Sequence, residues 1–177
     1  MVKNNLKIDP NEIIIEMIKE SHDINSFVSY EKELVNFLQE DALNNQKQNL
    51  SITFLWFNNQ MLASYITLLT DRITLEGDLK NVFQDKGIHY KSLPALKMGR
   101  LCVDDHFLRR GLGKLMVLFA IDISKEINRE KAGCRFLTVD TKNNSVGFYQ
   151  KLGFKILETR DNGTTAMYLD VLNPFLH

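Results

Sequence analysis

Two clusters along the chain carry residue types suited to chemistry. The first is Asp104-Asp105-His106-Phe107-Leu108-Arg109-Arg110-Gly111-Leu112-Gly113-Lys114, a glycine-bearing loop rich in cations. Apolar residues Leu112, Leu115, Met116, Phe119, Ile123 and Ile127 follow at spacings of three and four, so the loop opens a long amphipathic helix. The first turn of a helix leaves backbone N–H groups unpaired at the positive end of its dipole, a setting that suits phosphate or pyrophosphate. Cations are disfavoured at that end, so Arg109, Arg110 and Lys114 make more sense with an anion between them. Two familiar phosphate loops are excluded by counting. A P-loop needs glycine where Leu108 stands and a hydroxyl residue where Leu115 stands; a dinucleotide fingerprint needs a third glycine at Met116.

The second cluster is Asn143-Asn144-Ser145-Val146-Gly147-Phe148-Tyr149-Gln150-Lys151-Leu152-Gly153-Phe154. It reads as a short helix over 145–152 closed by a left-handed glycine at Gly153. By residue type alone, a tyrosine on such a helix is most often a core aromatic with a satisfied hydroxyl.

The elements that must position these clusters are read from periodicity. Asp9-Pro10-Asn11 ahead of Glu12-Ile13-Ile14 predicts a helix start. A second helix is expected over 30–43. Strands are expected at 51–57 and 61–69 around the turn Asn58-Asn59-Gln60, at 96–103 and at 134–139. A short helix between loops belongs somewhere in 71–93. A final hairpin pairs 154–158 with 165–171 across Asp161-Asn162-Gly163. The crossover helix between Val103 and Cys134 requires those strands to be parallel, the rest being antiparallel. The expectation is a single α/β domain over 1–177: a mixed, mostly antiparallel sheet with helices on both faces, core motifs in 51–171 and N-terminal helices in 10–45. Leu115 and Phe119 are expected in the core.

Composition narrows the function. The 177 residues are 44% hydrophobic, enough for one core, and 22 Lys+Arg balance 22 Asp+Glu. A neutral chain has no global field for nucleic acid or an anionic membrane. No apolar stretch reaches the roughly 20 residues of a membrane span. The opening ten residues lack the apolar block of a secretory signal. Cys102 and Cys134 have no metal-ligand spacing and read as reduced and buried, so no metal and a cytoplasmic setting are expected.

With both clusters in this order, the chain resembles the Gcn5-related N-acetyltransferase (GNAT) superfamily. The likeness rests on strand, Arg/Gly loop and helix over 96–125, then on Phe148-Tyr149-Gln150-Lys151-Leu152-Gly153-Phe154. It implies acetyl-CoA as co-substrate. The backbone of Leu101, Cys102 and Val103 would receive the pantetheine arm. Arg109, Arg110, Gly111, Leu112, Gly113 and Lys114 would cradle the diphosphate. Asn143 or Asn144, with Phe148, would also touch the cofactor, and Tyr149 would protonate the departing sulfur. The acetyl group would pass directly to a primary amine in a ternary complex. Two positions depart from the family pattern. Leu108 stands where Gln or Arg is usual, and Lys142 where Asn is usual, which leaves the choice between Asn143 and Asn144 open. A noncatalytic CoA-binding or protein-pairing module on the same fold is the alternative.

More narrowly, Glu33-Leu34-Val35-Asn36-Phe37-Leu38 and Leu93-Pro94-Ala95-Leu96-Lys97-Met98-Gly99-Arg100-Leu101-Cys102-Val103-Asp104 resemble toxin-like bacterial acetyltransferases. That likeness implies aminoacyl-tRNA as acceptor and an antitoxin as partner. The zero net charge disfavours tRNA, and small-molecule and peptide amines remain open, as does a homodimer. No general base is assigned: Asp104, Asp105 and His106 flank the loop, and of these residue types histidine is the better match to a base working near neutrality. Cys102 reads as a small buried hydrophobe rather than a nucleophile.

Overall fold

A computed structural model describes residues 7–174. Lys3, within the opening segment, and His177 therefore lie outside the described residues. The strands are β1 (Ile13–Met17), β2 (Ile52–Asn58), β3 (Met61–Thr74), β4 (Ser92–Val103), β5 (Phe136–Lys142), β6 (Lys155–Thr159) and β7 (Thr164–Asp170). They form one seven-stranded mixed sheet in the order β1-β2-β3-β4-β5-β7-β6. The helices are α1 (Lys32–Asn36), α2 (Ala42–Lys47), α3 (Gly77–Gln84), α4 (Leu112–Glu130) and α5 (Val146–Gln150). The chain divides into two compact units, one running to Leu69 and resuming over Met98–Ala120, the other holding Thr70–Lys97 and the chain from Ile121 onward.

In the first unit, β1 pairs antiparallel with β2, and β2 with β3. The β2–β3 turn places Asn59 and Gln60 at φ +48° and +66°, two left-handed residues in succession, as a tight hairpin of right-handed twist requires. The N-terminal helix expected from Asp9 is corrected. Asp9 does cap a turn, accepting from Asn11 N–H at 2.9 Å, but the turn is a single 3₁₀ turn, Pro10–Glu12. The three isoleucines that follow are β-branched and extend into β1. The second predicted helix is present as α1, a π turn over Phe37–Asp41, and α2. Its buried residues Leu38 and Ala42 join Ile18, Phe27, Leu55, Leu62, Tyr65 and Cys102 in one core.

Helix α4 begins in this unit where the spacing places it, but its buried stripe is rotated from the expected one. Leu112, Met116, Val117 and Ala120 are buried, whereas Leu115 and Phe119 are only half-buried. Phe119 still packs edge-on against Phe54 and Trp56, at 5.0 and 5.5 Å between ring centroids.

In the second unit, β5 and β6 both pair antiparallel with β7. Strand β5 is buried on both faces from Phe136 through Val139, Thr138 being the one polar side chain among the four. It starts two residues later than its apolar run suggests. The side chain of Asn128 both accepts from Cys134 N–H, at 2.7 Å, and donates to the Cys134 carbonyl, occupying those groups before the ladder begins. Helix α3 falls within 71–93 as expected, and buries Phe83 against Phe136 at 5.6 Å. Gly153 lies at φ +89°, and a Cβ there would stand 2.5 Å from the Pro174 carbonyl oxygen. Only glycine fits.

Candidate active site

The glycine loop is built from the end of β4. Asp104, 3% exposed, is its brace. One carboxylate oxygen accepts from Val28 N–H at 2.7 Å; the other accepts from His106 N–H at 2.9 Å and lies 2.8 Å from His106 Nδ1. Asp104 N–H in turn donates to the Ala63 carbonyl at 2.9 Å. Both oxygens of this carboxylate are engaged in holding the loop, so Asp104 acts as a structural anchor. Its His106 partner points outward, 70% exposed.

From that anchor the chain runs through buried Phe107, with the Arg110 guanidinium 5.4 Å from the Phe107 ring centre. Arg109 adopts φ +62° and Gly111 φ +92°. A side chain in the first of these costs about 1 kcal/mol or more, and the second is glycine territory. A Cβ on Gly111 would meet no protein atom within 4 Å, so what fixes glycine there is backbone conformation. Leu115 N–H makes the first helical hydrogen bond, to the Gly111 carbonyl at 3.2 Å. The N–H groups of Leu112, Gly113 and Lys114 come before it and point out of the helix end. Leu112 is buried, Gly113 half-buried and Lys114 exposed; Arg109 is exposed and Arg110 half-buried. Leu101 and Val103, half-buried on β4, flank Cys102, which is buried in the first core. Burial pushes the Cys102 thiol up to about 11, so it stays protonated at neutral pH and is no nucleophile.

The second unit carries the other cluster. Asn143 donates its N–H to the Gly163 carbonyl at 3.3 Å, and its side-chain oxygen accepts from Thr165 Oγ1 at 2.9 Å. That leaves its amide NH₂ as the outward group. Asn144 is exposed and accepts only from its neighbour Ser145, at 3.3 Å. Phe148 is 37% exposed, its ring edge-on to Tyr149 at 4.9 Å.

Tyr149 is the informative residue. Its ring is buried, wedged against Phe154 at 5.4 Å, yet among the described residues its hydroxyl makes no hydrogen bond. Tyr65 is the contrast: an equally buried tyrosine whose hydroxyl donates to the Leu34 carbonyl at 2.7 Å. The ring is buried but the hydroxyl is not sealed in, so it reaches the surface without a protein partner, and Tyr149 is not a core aromatic satisfied by the protein. Burial pushes its pKa up to about 12, keeping the phenol protonated as a donor at any physiological pH.

The family model described as the acetyltransferase (GNAT) domain matches residues 76–156, which contain both clusters. That stretch is a GNAT domain. No curated protein sequence matches the chain. Among solved structures, a Tyr-to-Phe mutant of KacT has 23% identity and a TM-score of 0.77, with 92% of this chain and 96% of that one covered. AtaT complexed with acetyl-methionyl-tRNAfMet has 21% identity, coverage of 87% and 93%, and a TM-score of 0.74. A structure described as a bacterial toxin has 15% identity, coverage of 93% and 97%, and a TM-score of 0.78. At these identities the likeness establishes the GNAT fold.

Two supports of the candidate site were not read from sequence. Asp104 was weighed only as a base, although an aspartate at a strand end ahead of a turn is also the signal for a carboxylate that captures nearby backbone N–H groups. Thr165, which holds Asn143, lies on a strand distant in sequence, and no local pattern marks it. The described residues include no group of three His, Cys, Asp or Glu placed to hold a metal ion. No described helix is long and apolar enough to cross a membrane.

Proposed function

We propose that this protein is an acetyl-CoA-dependent N-acetyltransferase that passes the acetyl group directly to a primary amine. The observation that carries the reading is the partnerless hydroxyl of buried Tyr149 within the motif that places the acid in GNAT domains. The cofactor's own contribution is an activated thioester. The chain's residues would do the rest. The N–H groups at the start of α4, with Arg109, Arg110 and Lys114, bind the diphosphate. The backbone of Leu101–Val103 holds the pantetheine arm and donates to the thioester oxygen as charge develops there. Asn143, fixed by Thr165, presents its amide to the cofactor, and Phe148 covers it.

Tyr149 donates to the sulfur as it leaves. With the phenol at about 12 and an ordinary thiol near ~8.5, complete proton transfer to a solvated thiolate is uphill. The same exclusion of water raises the thiolate's own affinity for the proton, which narrows the gap. Cys102 is a protonated core residue on this reading, so no acyl-enzyme forms on it.

A toxin-like role is a second reading, favoured by the fold shared with AtaT, one structure of which holds acetyl-methionyl-tRNAfMet and another, of AtaTR, AcCoA. It makes an aminoacyl-tRNA the acceptor and an antitoxin the partner. The even charge balance weighs against a large phosphate footprint. Calorimetric titration with acetyl-CoA, then thiol release over a panel of amines, tests the proposal. Micromolar binding and turnover abolished in Tyr149→Phe are expected. Absence of cofactor binding overturns it, and binding with no turnover on any amine returns the noncatalytic alternative. Growth arrest on induction of the wild type but not of Tyr149→Phe separates the toxin-like reading from the rest.

A further inference from the structure

Arg100 stands on β4 immediately before Leu101–Val103, and its guanidinium is incompletely used. Its carbon centre lies 5.0 Å from the ring centre of Phe37, and one terminal nitrogen donates to the Gly99 carbonyl at 2.8 Å. Its Nε–H is sealed from solvent with no hydrogen-bond partner. An arginine carries five donors in a rigid fork, and this half-buried one spends one terminal nitrogen on Gly99. The surface that holds it is itself irregular. Phe37 opens the π turn Phe37–Asp41, and its ring also stacks on Tyr65 at 6.4 Å and 20°. Tyr65, on β3, in turn donates to the Leu34 carbonyl at 2.7 Å, which ties α1 and the Phe37 ring beneath Arg100 to the sheet. π turns recur at functional sites because they aim a side chain that a regular helix would turn away. Here the aimed side chain is Phe37, and what it holds is Arg100.

We propose that Arg100 is a specificity-determining residue for the acceptor, the terminal N–H groups of its guanidinium that Gly99 does not hold receiving an oxyanion carried close to the reacting amine. The inference rests on the acetyltransferase reading, since that reading is what makes the neighbouring strand segment the place of transfer. The shared chemistry is a phosphate or carboxylate oxygen near a primary amine. A small phosphorylated amine and the phosphodiester end of an aminoacylated RNA both supply it. A planar guanidinium suits this better than lysine would, because it can offer two parallel N–H groups to two oxygens of one group.

The test separates this inference from the acetyltransferase reading by measuring binding as well as turnover. Phosphoethanolamine and ethanolamine differ only in the oxyanion. Each is titrated into the complex of the protein with CoA, for the wild type, Arg100→Met and Arg100→Lys; Met keeps the unbranched stem over Phe37 and Lys keeps the charge. Expected is wild-type preference for phosphoethanolamine, reduced at least tenfold in Arg100→Met and partly restored in Arg100→Lys, with acetyl-CoA affinity unchanged in all three. Turnover on the same pair, and on an aminoacylated oligonucleotide, then identifies which source of the oxyanion is preferred through KM rather than kcat. Equal binding of the two amines by the wild type, or equal losses on both in Arg100→Met, overturns the role of Arg100. Selective binding without acetyl transfer to any amine overturns the acetyltransferase reading, and with it the acceptor role, and leaves Arg100 only as an oxyanion-binding residue.

Discussion

Tyr149 meets Phe154 edge to face, 5.4 Å between ring centres and 65° between planes, and this contact buries the ring while leaving its hydroxyl without a protein partner. The arrangement fixes χ angles through packing rather than through the polar atom. The hydroxyl is therefore free for a ligand at no cost to the fold, which is how a rigid element best supports a reacting group.

Two tyrosine variants test that division. Tyr149→Phe removes a hydroxyl that makes no hydrogen bond, so its denaturation midpoint should stay within about 0.5 kcal/mol of the wild type. Acetyl transfer should fall by roughly 10²-fold or more, as loss of a general acid does. Tyr65→Phe breaks the 2.7 Å bond to Leu34 and should cost about 1 kcal/mol with turnover on neutral amines retained. Urea melts and thiol-release rates on both variants measure the contrast. The opposite pattern would place the acid elsewhere.

Asn143 and Asn144 differ in the same physical way. Both are exposed, but Thr165 on β7 holds the side chain of Asn143, whereas Asn144 meets only its neighbour Ser145. An amide held in place loses less entropy on binding a ligand than a solvated one. Asn143→Ala should weaken acetyl-CoA binding several-fold by calorimetry, and Asn144→Ala should leave it unchanged. Equal effects would show that the Thr165 contact carries no positioning role.

Most of the fold was legible because its signals are periodic. The α4 spacing, the β-branched run of β2, the Asn-rich turn and Gly153 each set a local structure that tertiary packing left in place. The misreadings have specific causes. At Asp9–Ile15 a cap signal and a β-branched run compete within seven residues, and pairing with β2 decides for the strand. In α4, spacings of three and four are satisfied by two overlapping stripes that share Leu112 and Met116, and only the packed partners choose Val117 and Ala120 over Leu115 and Phe119. In the candidate site, residue types marked the loop and Tyr149, but the supports could not be read. That Asp104 reaches Val28, or Thr165 reaches Asn143, depends on chain crossings that no local pattern encodes.

Gly111 gives a prediction with a built-in control. At φ +92° a side chain is strained even though a Cβ would meet no protein atom within 4 Å. Gly111→Ala should cost about 1–2 kcal/mol and weaken acetyl-CoA binding, by disturbing the turn that aims the N–H groups of α4. Gly147, on α5, also has open space at its Cβ but no positive φ. Gly147→Ala should therefore be neutral or stabilise by roughly 0.5–1 kcal/mol. Chemical denaturation and calorimetry on the two variants check both signs. A stabilised Gly111→Ala would mean that the loop adopts another backbone conformation.

Alkaline pH should loosen the first unit through Cys102. Burial raises its thiol from an ordinary 9.0 to about 11, so the folded chain holds a proton that the unfolded chain releases earlier. Where the unfolded state binds fewer protons, stability falls as pH rises. The contribution is complete below about pH 9 and is lost between pH 9 and 11, on the order of 2 kcal/mol over that window. Tyr149, raised from 10.0 to about 12 by the same cause, extends the decline upward. Urea midpoints for the wild type should drop between pH 8.5 and 10.5, and Cys102→Ala, less stable at pH 8, should show a shallower drop across the same interval. Parallel slopes for the two proteins would assign the alkaline loss to other groups. An aromatic disulfide reagent reads the same burial directly: neither Cys102 nor Cys134, both buried and both raised by it, should react at pH 8 until the protein unfolds.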